Sequence, residues 1–174
     1  LVQMWLGTGP QIDGLGHLGE DGEFYNCHQG KDFAAITGLT KLDISQIPPM
    51  VARGVLIDVA KHLGVSHLSA AQPISTQDLQ SAMTEQKITV REGDVILLHT
   101  GYTDAFLEAD PQLWGSTIPG ITNDAARFLA SLKPLAVGAD TWGLGAVPPA
   151  PGDKVFYDHA ILLKQNGIYI LETM

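Results

Sequence analysis

The chain has 174 residues, enough for one domain with its own core and no covalent staples. Lys plus Arg number 10 against 19 Asp plus Glu, a formal charge of −9. That balance lacks the basic footprint of a nucleic-acid binder and offers no basic attraction to an anionic membrane. The single cysteine, Cys27, excludes an internal disulfide and a Cys-rich zinc site, so any metal must be held by His, Asp, Glu or Gln.

No apolar run approaches the ~18–20 residues of a membrane span. Leu1–Leu6 is apolar and strand-like but lacks a basic start and a cleavage site, so a cytoplasmic protein is expected. Gly7 to Gly22 is dense in glycine and polar residues and reads as a loop or distorted strand. After Pro48-Pro49, Gly54–Asp58 reads as a short strand and Val59–Leu63 as a turn of helix. Ser75–Met83 opens with a capping pattern, and Leu79 and Met83 follow at helical spacing. Gly93-Asp94 is a turn before Val95–Leu98, a continuous apolar run that predicts a strand buried on both faces. Thr122–Leu132 is the clearest helix, capped by Thr122 or Asn123, with Ala126, Leu129 and Leu132 on one side. Leu135–Val137 is the next strand. Pro148–Gly152 is a rigid loop, His159–Lys164 a helix, Asn166-Gly167 its stop and Ile168–Leu171 the final strand. Strands alternating with helices predict a mixed α/β domain over residues 1–174.

Three polar features stand out. In an extended segment residues two apart face the same way, so Gln11 and Asp13 point together and His17 shares their parity, unless Gly14 and Gly16 bend the path. An amide, a carboxylate and an imidazole on one face suit a hard-to-borderline metal ion. His159 opens the helix before the last strand, and Glu172 closes that strand, where α/β sheets carry their sites. Each has a plainer reading taken alone: Asp13-Gly14 as a turn, His159 as an ordinary helix histidine, Glu172 as a solvated strand end. Trp5, Phe24 and Tyr25 could wall an aromatic pocket or simply fill the core.

In order along the chain, these segments resemble the cyclase-like metal-dependent hydrolase family, which includes bacterial kynurenine formamidase and isatin hydrolase. Gly7-Thr-Gly-Pro-Gln-Ile-Asp-Gly-Leu-Gly-His17 is similar to its HxGTHxDxPxH signature, and Asp21–Asn26 to its DGxxYN segment. Pro48–Asp58 resembles PPxxxRGVLxD, and Gly93–Tyr102 resembles GDxxLxxTGW. Gly138–Thr141, His159 onward and Gly167–Glu172 complete the order.

The resemblance implies a β/β/α domain with a central, partly closed mixed sheet flanked by helices. It also implies a zinc or manganese ion and hydrolysis of an amide, either a formamide or a cyclic amide. It assigns Asp13, His159 and Glu172 to the metal, puts Gln11 where the strict signature has a ligand histidine, and makes His17 the general base. Gly7 stands where the signature has its first histidine, so one metal per chain is expected rather than two. The family usually has more chain before the motif and after Glu172, so a domain incomplete at both ends and a homo-oligomer are expected. A relative that keeps the fold and binds a metal or small ligand without turnover is the alternative.

Overall fold

The computed structural model describes residues 9–174. The expected strand Leu1–Leu6, with Trp5, and the signature position Gly7 lie outside the described residues. Five strands form one mixed sheet: β1 (Gln11–Asp13), β2 (Gly54–Asp58), β3 (Val95–His99), β4 (Ala136–Ala139) and β5 (Tyr169–Glu172). Their spatial order is β1-β5-β4-β3-β2. β2 through β5 run parallel, and β1 joins β5 antiparallel. The chain is therefore a mixed α/β domain, as its alternating pattern predicts.

Parallel neighbours need crossovers, and here the crossovers carry the helices. They are α1 (Val59–His62), α2 (Thr76–Glu85), α3 (Tyr102–Phe106), α4 (Pro111–Ser116), α5 (Asn123–Ser131) and α6 (Tyr157–His159). The Ser75 hydroxyl caps α2 by accepting from the Asp78 N–H at 3.2 Å, and the Asp78 carboxylate accepts in return from the Ser75 N–H at 2.8 Å. Thr122, not Asn123, caps α5. Leu79, Ala82, Ala125, Ala126 and Leu129 then pack against Ile57, Ile96, Leu98, Val137 and Ile170 of the sheet in one buried cluster.

Two expectations change in detail. In β3, Ile96 and Leu98 are buried while Val95 and Leu97 are only half-buried, so the strand is not sealed on both faces. The helices pack over the face that carries Ile96, and on the opposite face Leu56 is 56% exposed. Leu97 and Leu171 fold instead over Gly138, where an added Cβ would lie 2.7 Å from the Leu171 Cβ. The expected helix His159–Lys164 is one α turn, Tyr157–His159, that widens into a π-helical segment, Ala160–Gln165. Such widened turns recur at functional sites, because they reposition a side chain within a helix. Gly167 stops it as expected, with φ of 66°.

Candidate metal centre

The register of β1 on β5 sets Gln11 opposite Glu172 and Asp13 opposite Ile170. Strand alternation then puts Gln11, Asp13 and Glu172 on one face at the edge of the sheet. Residues from opposite ends of the chain meet there: the Gln11 amide donates to Glu172 Oε2 at 2.6 Å. The chain leaves β1 through a tight turn in which the His17 N–H donates to the Gly14 carbonyl at 2.9 Å. This turn, rather than strand parity, returns His17 to Asp13, with Nε2 3.8 Å from Asp13 Oδ2.

His159 completes the group from the far side. Its Nε2 lies 3.5 Å from Asp13 Oδ2 and 3.2 Å from Glu172 Oε1. Its Nδ1 lies 2.9 Å from Asp158 Oδ2. Asp13, Asp158, His159 and Glu172 are all buried, whereas the His17 side chain is 52% exposed. One ligand atom each from Asp13, His17 and His159 falls within 4.8 Å of the others.

The electrostatics call for a cation. Burial pushes the His159 imidazole toward its neutral form, yet the surrounding Asp13, Asp158 and Glu172 carboxylates outweigh it and hold the group well above its usual pKa. Even an imidazolium leaves three carboxylates against one positive charge. Asp13 Oδ2 and Glu172 Oε1 are also buried without a hydrogen-bond partner among the described residues. An unpaired buried carboxylate oxygen is expensive, so two of them facing one imidazole nitrogen fit a bound divalent ion. The donors, carboxylate and imidazole, suit zinc or manganese chemistry.

Sequence reasoning missed Asp158. Its carboxylate engages His159 Nδ1, which leaves Nε2 turned toward Asp13 and Glu172, the usual way a second carboxylate orients a ligand histidine. Gly145 makes room for it, since an added Cβ would lie 2.6 Å from Asp158 Oδ1. The Asp-His dipeptide was the available signal. Phe24 and Tyr25, the aromatic candidates among the described residues, sit elsewhere. Phe24 packs edge-on to Phe33 with ring centroids 5.1 Å apart, and the Tyr25 ring lies over Gly167. Neither lines the cavity of about 250 Å³ beside Asp13 and His17, whose apolar wall includes Leu39, Leu42 and Ile44.

The sequence profile of a family described as putative cyclase matches residues 1–146. A crystal structure described as a novel cyclase is 28% identical, with a TM-score of 0.87, and the match covers 98% of this chain and 56% of that one. Isatin hydrolase A from Labrenzia aggregata is 21% identical at a TM-score of 0.63, covering 96% of this chain and 59% of that one. A predicted metal-dependent hydrolase from Bacillus stearothermophilus is 21% identical at 0.57, covering 98% and 62%. The chain thus spans little more than half the length of these structures. No curated protein matches it.

Proposed function

The chain belongs to the putative cyclase family, and from that premise we propose that it is a metal-dependent hydrolase cleaving an amide, either a formamide or a cyclic amide. The observation that carries the reading is the pair of buried oxygens, Asp13 Oδ2 and Glu172 Oε1, unpartnered among the described residues and converging with His159. Asp13, Glu172 and His159 would hold one zinc or manganese ion. When bound, such an ion polarises a carbonyl and lowers the pKa of water toward ~7.

The chain's own residues do the rest. Asp158 keeps His159 Nε2 facing the carboxylates. Gln11 fixes Glu172 through its amide N–H, so in this reading it positions a ligand more than it supplies one. His17 is exposed toward solvent and 3.8 Å from Asp13 Oδ2, placed to take a proton from water at Nε2 and return it to the departing nitrogen. Its nearness to Asp13 and His159 also allows it to lend that nitrogen as a ligand.

A second reading, a metal- or ligand-binding relative without turnover, is favoured by Gly7, which puts no side chain where the signature has histidine. Metal content of purified protein, measured beside turnover of formamide and cyclic amide substrates with added zinc or manganese, separates the two. Metal with turnover supports the hydrolase, metal without turnover the second reading, and absence of metal removes the hydrolase and leaves the second reading only as a binder of a small ligand. A homo-oligomer belongs to the same proposal, and a monomer mass by light scattering over a wide concentration range would refute it.

A further inference from the structure

The segment from Gly38 to Ile47 plays no part in holding the metal group, yet it is built against it. Gly16, one residue before His17, is packed so closely that an added Cβ would lie 2.6 Å from Leu39 Cδ1 and 3.0 Å from the Leu42 carbonyl oxygen. Gly14 meets Ile44 in the same way, at ordinary contact distance, 3.6 Å from its Cβ. Leu42 holds a left-handed backbone with φ of 56°. For a leucine this is costly, and such strain concentrates where a site needs a particular shape.

What the strain shapes is the cavity of about 250 Å³ whose floor is Asp13 and His17. Ile12, Leu39, Leu42 and Ile44 make it apolar. Leu39 and Leu42 are half-buried and Ile44 is 47% exposed. Roughly 150 Å³ of apolar cavity already accepts a benzene ring, so this space suits one ring or a short branched chain. Away from the Asp13–His17 floor, the charge on its wall has one sign. Asp43 stands at the wall, and its Oδ1 accepts from the Ser45 N–H at 2.7 Å, which holds the carboxyl below its usual pKa and keeps it ionised. Among the described residues, no lysine or arginine lines the cavity.

We infer that Leu39, Leu42 and Ile44 are the substrate-selecting wall of this site, which takes a compact neutral amide on a single ring or short aliphatic group, and that Asp43 rejects anionic substituents. The inference rests on the hydrolase reading for the word amide, while the selectivity stands on the cavity alone.

The test is therefore binding, by titration calorimetry on zinc-loaded protein, with benzamide and with benzamide carrying a 4-sulfonate, an anion that ligates zinc poorly. Benzamide should bind, and the sulfonate should bind about tenfold more weakly. Asp43→Asn keeps the turn cap and should close most of that gap. Ile44→Trp fills the mouth from an exposed position and should weaken benzamide about tenfold with zinc content intact. Equal or tighter binding of the sulfonate, an unchanged gap in Asp43→Asn, or no benzamide binding at all would overturn the inference. Benzamide binding with these preferences but no amide turnover would leave it standing and remove the hydrolase.

Discussion

At the scale of single residues, Asp13 carries the most consequence. It lies between two imidazoles, with one oxygen that no donor among the described residues satisfies. Asp13→Asn should abolish metal retention, measured by elemental analysis. The same change should leave the metal-free protein as stable as wild type or more so, because it removes one of the mutually repelling buried carboxylates. Asp158→Asn acts through His159. It should weaken metal affinity roughly 10–100-fold, the usual effect of losing a carboxylate behind a ligand histidine. The sequence already pointed to Asp13, His17, His159 and Glu172, because the collinear motifs name each of them. It could not show that Gln11 spends its amide on Glu172, or that Asp158 stands behind His159, since both facts depend on side-chain direction. Nor could it separate aromatic residues near a motif from those in its cavity: Phe24 and Tyr25 are close to His17 in sequence but turn toward Phe33 and Gly167.

At the scale of elements, what was legible followed from local chemistry. Ser75 and Thr122 are strong caps, and both helices start where their hydroxyls say. Ser75→Ala should cost about 1 kcal/mol in chemical denaturation, since it breaks a reciprocal capping box rather than a single bond. The short apolar run of β3 gave the strand but not its exposure, which depends on what covers each face of the sheet. The π-helical turn after His159 has no composition cue, because a widened turn is chosen by packing and by the demand on His159, not by propensity. One turn between elements has a pH signature. The Arg53 guanidinium grips both oxygens of Asp94, at 3.0 and 2.5 Å, ahead of β3. That hydrogen bonding, together with the Arg91 N–H, holds the Asp94 carboxyl below its usual range. A carboxyl lowered on folding stabilises fully above the unfolded value, near ~3.9, and loses that contribution as pH falls through the folded one. Arg53→Gln should therefore lower stability at neutral pH and flatten the acid limb of a stability–pH curve, so that variant and wild type converge as pH falls. An unaltered acid limb would show that the pair does not tie β2 to β3.

At the scale of the whole molecule, the candidate metal group sits on a highly non-local contact. Gln11 and Glu172 are 161 residues apart, and among the described residues β1 touches the rest of the sheet through β5 alone. A short edge strand held by three register pairs is a natural low-stability unit, free to open without unfolding the core. Its site side chains repel one another when no cation balances them. A metal that takes Asp13 from β1, Glu172 from β5 and His159 from α6 would therefore act as a clip that holds β1 on the sheet. Binding to the folded state alone adds about 2.7 kcal/mol when the metal is present at 100 times its dissociation constant. The gain should not be spread evenly. Amide hydrogen exchange should slow in β1 and β5 and in the turn from Gly14 to His17 when zinc or manganese is added. The amides of α2 and α5, whose stability comes from the apolar cluster, should follow only the global opening. In Asp13→Asn the added metal should change neither the melting temperature nor the exchange of β1. Uniform protection across all elements would mean that β1 opens only with the whole domain. Protection of β1 that survives in Asp13→Asn would place the metal elsewhere.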